Sequence, residues 1–158
     1  MLYRVRNLSL FLVLLLGIFS MWAATINVPA DYTTIQAAIN AATAGVEIIV
    51  AAGVYSEALL INKPLSLLGP NALISAVDGV RVPEARLTQK IDISATENVT
   101  ISGLEMYGVN PGTSWTFYIY ANSNGFKFQN NRFIDNTNVV MKSGQSSTTT
   151  NLTVTGNY

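Results

Sequence analysis

Residues 26–74 read INVPADYTTIQAAINAATAGVEIIVAAGVYSEALLINKPLSLLGPNALI, and this stretch decides the fold. Ile35, Ala38, Ile39 and Ala42 fall at i, i+3, i+4 and i+7, one apolar helical stripe. The pattern predicts a helix from Thr34 to Ala44. Thr33 followed by Gln36 predicts a capping box, and Gly45 a left-handed stop. The polar face, Gln36, Asn40 and Thr43, is uncharged, so so short a helix is marginal alone and needs a surface to cover. That surface follows directly. Glu47–Val50, Ala58–Ile61, Leu65–Leu68 and Leu73–Ile74 are short apolar runs separated by Gly53, Asn62-Lys63-Pro64 and Gly69-Pro70, and they predict strands buried on an inner face. Upstream, Thr25–Val28 is a further strand candidate, ended by Pro29.

Downstream the same texture continues. Strands are predicted at Ile91–Ile93, Val99–Leu104, Trp115–Tyr120, Phe126–Asn131, Val139–Lys142 and Leu152–Asn157, with a turn at Ala121–Gly125 and a loop at Ser143–Thr150. Residues 78–90 (DGVRVPEARLTQK) hold the densest charge and predict a solvated loop inserted between strands.

Four segments superpose: Leu65-Ser66-Leu67-Leu68-Gly69, Val99-Thr100-Ile101-Ser102-Gly103, Phe126-Lys127-Phe128-Gln129-Asn130 and Leu152-Thr153-Val154-Thr155-Gly156. Their central apolar residues are 34, 27 and 26 positions apart, a period that marks a stacked repeat. Apolar residues two apart share one face of a strand, so stacking such pairs builds a continuous core. The Gly or Asn that follows permits the positive φ of a sharp turn. Asn130, Asn131, Asn136, Asn138, Asn151 and Asn157 cluster at these turns, where stacked amides can bond along the ladder. The expected fold is all-β: a right-handed parallel β-helix, a solenoid, over residues 25–158, with an N-terminal capping α-helix. Tyr158 follows a strand-and-turn unit with no cap, so the domain is expected to be truncated at its C-terminal end, or covered there by further coils or a partner.

Composition narrows the chemistry. The 158 residues include no Cys and no His, which excludes thiol chemistry, disulfides, a Ser-His-Asp triad and His-ligated metal. Any metal would be held by oxygen. Charged residues are 11%, against about 25% in ordinary domains, and the formal net charge is zero, so nothing marks a nucleic-acid surface. Residues 1–24 (MLYRVRNLSLFLVLLLGIFSMWAA) carry Arg4 and Arg6, then an apolar run from Leu8 to Phe19, then Ala23-Ala24, the pattern of a secretory signal peptide. Trp22 fits a small-x-small cleavage site poorly, and an uncleaved anchor is the alternative. The expected location is secreted, at the cell surface or in a periplasm.

Tyr32-Thr33-Thr34-Ile35-Gln36-Ala37-Ala38-Ile39, Ile48-Ile49-Val50, Gly53-Val54-Tyr55-x-Glu57, Leu67-Leu68-Gly69 and Ile74 resemble the N-terminal end of the pectin-lyase-like superfamily of right-handed parallel β-helices. The resemblance implies that fold and a secreted protein that binds or processes extracellular polysaccharide. The pectinesterase catalytic motifs have no counterpart here, and Gln129-Asn130-Asn131-Arg132, the nearest polar strand, lacks their Asp pair. The alternative is a non-enzymatic surface or adhesive repeat protein. Tyr55 and Glu57 match the signature and are expected to fix the first turn.

No catalytic residue is assigned. A lyase of this architecture would use a Lys or Arg base with Ca²⁺ on carboxylates, for which Lys127, Arg132, Asp135 and Glu105 are the residue types present; no other cofactor is indicated. Aligning Val99 with Phe126 places Glu105 over Arg132, either as a functional pair or as an exposed inter-coil salt bridge. Along Trp115–Tyr120, alternation puts Trp115, Phe117 and Ile119 on the core side and Tyr118 and Tyr120 outside, where they could stack on sugar. The candidate substrate-binding residues are Tyr118, Tyr120, Lys127 and Arg132.

Overall fold

The computed structural model describes residues 24–95, 97–109, 115–120, 123–136, 139–144 and 148–158, with backbone alone at 139 and 140. The expected signal segment lies outside them except for Ala24, as does Asn138. The elements are β1 (Thr25–Val28), α1 (Ile35–Ala41), β2 (Val46–Val50), β3 (Gly53–Tyr55), β4 (Leu59–Ile61), β5 (Leu65–Leu68), β6 (Ala85–Leu87), β7 (Ile91–Ile93), β8 (Val99–Ser102), β9 (Leu104–Tyr107), β10 (Trp115–Ile119), β11 (Ser123–Asn124), β12 (Lys127–Gln129), β13 (Arg132–Ile134), β14 (Val139–Ser143), β15 (Thr149–Thr150) and β16 (Thr153–Thr155).

Strand order shows how the chain travels. The first sheet runs β1-β2-β5-β8-β12-β16, the second β3-β6-β9-β13, the third β4-β7-β10-β14, with β11 and β15 as a short fourth pair. Each pass visits the first, second and third sheets in turn, and the next pass lays its strands parallel on the last. Over the described residues the fold is therefore all-β, of stacked parallel sheets with one helix, an arrangement compatible with a β-solenoid; one such pass is called a coil below.

The repeat register read from sequence is the register in space. Ile48 pairs with Leu67, Leu67 with Ile101, Ile101 with Phe128 and Phe128 with Val154. Ile48, Leu67, Ile101 and Phe128 are buried, and Val154, on the last strand, is 53% exposed. Leu87 and Met106 on the second sheet and Ile91, Ile93, Phe117 and Ile119 on the third close the same core. Phe117 meets Phe128 and Phe133 edge-on at 5.3 and 5.8 Å, joining the three sheets. Each such fully buried side chain contributes about 1.5–3 kcal/mol.

The helix covers the first coil, but its ends differ from expectation. It spans seven residues and its N-cap is Thr34, whose Oγ1 accepts the Ala37 N–H at 3.2 Å; Thr33 and Gln36 form no capping box. Gln36 is drawn elsewhere: its amide accepts the Leu60 N–H at 2.7 Å and donates to Asn40. It thereby satisfies a backbone donor on the outermost strand of the third sheet, which an open edge would leave bare. The helix stops at Ala41, four residues before Gly45, because Ala42 turns extended. Lys63 Nζ donates to the carbonyls of Asn40 and Ala42 at 3.2 and 2.9 Å, doing for the C-terminus what a glycine cap does elsewhere. Gly45 does take φ +84°, and its N–H donates to Pro64.

Residues 69–84 form a strap along the stack. Ser102 Oγ and Asn130 Nδ2 both donate to the Ala72 carbonyl, and the Ala76 N–H donates to Gly156. Arg81 returns to the Asn130 and Ile74 carbonyls. Leu73–Ile74 is thus turn, not strand, with Leu73 97% exposed. Gly69 does not have positive φ; it is glycine because a Cβ there would lie 2.2 Å from the Gly103 carbonyl oxygen. The expected loop at 78–90 also fails at Ala85–Leu87, which is β6: Ala85 and Leu87 point inward and Arg86 outward.

Asparagine does stack at the turns. Asn131, fully buried, takes the Leu104 N–H and donates to Ile101, and Asn157 Oδ1 takes both the backbone N–H and the Nδ2 of Asn131.

Candidate functional site

The outer face of the third sheet collects aromatic rings around an ion pair. In β10, Phe117 and Ile119 fill the core, which sends Tyr118 outward between Asp92 of β7 and Lys142 of β14. Tyr120 leaves the strand end, where its N–H donates to Ile93, and is 56% exposed. The rings of Tyr118 and Tyr120 lie 4.2 Å apart between centroids, inclined by 57°. Trp115 departs from the expected core position: it is half-buried, with its ring 5.6 Å from Tyr118 and the Lys142 ammonium 3.8 Å from its centroid. That cation–π contact is available only on the outer face, where Lys142 stands.

Below Tyr118, Lys90 Nζ and Asp92 Oδ2 are 2.6 Å apart. The hydrogen bond to Asp92 raises the Lys90 pKa above its ordinary value; burial acts the other way, and the charges of Asp92 and Tyr120 add to the rise. Asp92 Oδ1 is buried and has no hydrogen-bond partner. Leu60, the register neighbour of Asp92 on β4, is exposed.

The outer face of the second sheet is charged instead. Arg86, Glu105 and Arg132 are register neighbours on β6, β9 and β13. Glu105 binds Arg86 Nε through one oxygen and Arg132, at 3.2 Å, through the other. Arg132 also approaches Glu84 at 3.7 Å, and Glu84 takes two bonds from Arg81 and one from buried Asn71. Arg86 stacks over the Tyr107 ring at 4.4 Å. The Glu105–Arg132 pair is not the exposed surface bridge that was one alternative, because the Glu105 side chain is only 3% exposed. Both carboxylates of this face are thus held by arginines. Among the described residues no group of three Asp, Glu, His or Cys is placed to hold a metal ion.

The four candidate binding residues are distributed over three faces. Tyr118 and Tyr120 are together on the third sheet side. Arg132 sits with Glu105 on the second. Lys127 is exposed on the first, between Thr100 and Thr153, and Asp135 is exposed at a turn with φ +54°. Lys90, Asp92 and Lys142 were not singled out from sequence. Aligning Ile91-Asp92-Ile93 with Phe117-Tyr118-Ile119 would have found Asp92, since both strands put apolar residues at either side of one outward residue.

No protein-family model matches the chain, nor does any curated protein or solved structure.

Proposed function

We propose that this chain is a pectin-lyase-like right-handed parallel β-helix, exported from the cell, that binds extracellular polysaccharide on the outer face of its third sheet. The observation that carries the proposal is the pair of rings at Tyr118 and Tyr120, 4.2 Å apart and outward-facing, with Trp115 beside them. Aromatic rings of this kind offer apolar area with a polar rim, matching a sugar's C–H face and hydroxyls. Support for the fold family comes from the helix over the first coil, the Leu67-Leu68-Gly69 unit and the cyclic visiting of three parallel sheets.

Binding is favoured over processing because Glu84 and Glu105 are already occupied by Arg81, Arg86 and Arg132. The test is co-sedimentation of the chain with insoluble polysaccharides, comparing the unaltered protein with Tyr118→Ala/Tyr120→Ala. Retention by at least one polysaccharide, lost in the double variant, supports the proposal; equal retention of both proteins overturns it. Ultraviolet absorbance from unsaturated uronate products would instead make the protein a lyase.

A further inference from the structure

Asp92 Oδ1 is the one buried side-chain polar atom among the described residues for which the fold supplies no partner. Its sister oxygen takes the Lys90 ammonium at 2.6 Å. Folded proteins leave few buried acceptors unpaired, since each forgoes the hydrogen bonds it made to water. Asp92 is also in register with Tyr118, whose ring forms one half of the aromatic pair. Lys90 is near enough to Tyr120, the other half, for the tyrosine to contribute to the rise in its pKa. A carboxylate–ammonium pair therefore stands beside the two rings, with the Lys90 side chain 39% and the Asp92 side chain 19% exposed.

We propose that Asp92 and Lys90 read the hydroxyls of a neutral hexopyranoside whose ring stacks on Tyr118 and Tyr120. This rests on the polysaccharide-binding function proposed above and names its ligand class. A partial turn of the carboxyl about its soft terminal torsion, short of the half-turn that would only exchange the two oxygens, brings Oδ1 toward the surface that Lys90 already reaches. There it accepts a sugar hydroxyl while Lys90 donates to the neighbouring one. A neutral sugar is chosen over a uronate by donor–acceptor matching. The Lys90 and Asp92 charges cancel each other and Lys142 is engaged over Trp115, so what is left unmatched is an acceptor oxygen without a donor. It can take a hydroxyl donor, whereas a second carboxylate has only acceptors to offer it.

The test is calorimetric titration of the full chain with cellohexaose, xylohexaose, mannohexaose and hexagalacturonate, using the unaltered protein, Asp92→Asn and Tyr120→Ala. One neutral probe is expected to bind, and Asp92→Asn to weaken it by about tenfold to a hundredfold, the range for a charge-assisted hydrogen bond. Monodeoxy forms of the same probe give a readout independent of the variant's folding: one of them should bind the unaltered protein as weakly as the parent sugar binds Asp92→Asn, and lose nothing further in that variant. If Tyr120→Ala abolishes binding while Asp92→Asn and every deoxy probe leave it unchanged, the aromatic site stands and the role of Asp92 is overturned. Preference for hexagalacturonate, strengthened by Asp92→Asn, overturns the neutral class alone. No binding of any probe overturns this proposal, and the co-sedimentation test decides separately whether the polysaccharide-binding function stands without it.

Discussion

Glu57 Oε1 accepts the backbone N–H of Ile35 at 2.8 Å, across 22 residues of sequence, and Oε2 accepts that of Gln36 at 3.0 Å. The turn after β3 thus caps the helix that covers it. Those N–H groups have no partner inside the helix, and a carboxylate there also favours the helix dipole. Glu57→Ala is expected to lower unfolding stability by about 1–3 kcal/mol, with Glu57→Gln losing less. Urea unfolding checks this; an unchanged midpoint would mean that the buried Ile35, Ala38 and Ile39 hold the helix without help.

Glu105 predicts an asymmetry. Its carboxylate is buried, whereas Arg86 and Arg132 keep 40% and 33% of their side chains exposed. Removing the acid leaves two cations that water can reach. Removing both bases leaves a buried charge with no counter-ion, a loss of about 3–5 kcal/mol. Arg86→Met/Arg132→Met should therefore destabilise the protein more than Glu105→Met in the same urea series. The reverse order would show that the carboxylate reaches solvent once uncovered.

Gly103 and Gly108 separate backbone strain from crowding. Both have positive φ, +70° and +59°, but a Cβ at Gly103 would lie 2.0 Å from the Ala72 nitrogen, while Gly108 faces open space. Gly108→Ala should cost about 1 kcal/mol, the left-handed penalty alone. Gly103→Ala must also push the strap off the sheet, and its cost should exceed that by at least about 1–3 kcal/mol. Thermal unfolding of the two variants gives the comparison directly.

Lys90 gives a pH dependence with a definite sign. Its folded-state pKa is raised above the ordinary 10.5, chiefly by the hydrogen bond to Asp92. The stabilisation is fully present below pH 10.5 and is lost as pH rises through the folded value. The side chain is 39% exposed, so solvent screening keeps the effect within about 1 kcal/mol. The stability difference between the unaltered protein and Lys90→Met should be constant from pH 7 to about 9.5 and shrink above it. A difference that grows at alkaline pH would contradict the pairing.

What was legible in the sequence was whatever repeats. Leu67, Ile101, Phe128 and Val154 could be aligned because each is flanked by a partner two residues away and closed by Gly or Asn, and the sheet pairs them in that register. The second sheet was largely illegible. β3, β6 and β13 are three residues long, too short to show an alternation, and the residues stacked in line with Met106 differ in kind: Tyr55, Leu87 and Phe133. Arg86 looked like loop charge because the carboxylate that holds it, Glu105, arrives from the next coil, whereas the pairing of Glu105 with Arg132 could be read by aligning Val99 with Phe126. The same holds at the aromatic face: Tyr118 and Tyr120 could be placed outside by alternation, but the company of Asp92 and Lys142 depends on inter-coil register. Capping was misread by one residue, since Gln36 bonds to Leu60 of β4 rather than to the helix start.

The strap has a consequence for how the molecule comes apart. When coils touch only their neighbours, the outermost one can fray at little cost and the rest follow in sequence. Here the Ala76 N–H, carried on a segment that begins in the second coil, holds Gly156 beyond β16, and Arg81 holds Asn130 one coil nearer. Peeling the last strand therefore breaks bonds anchored three coils away. The latch gives β16, with Val154 half in water, a share of the opening free energy of the interior, so opening there is expected to be coupled to the coils beneath rather than to proceed strand by strand.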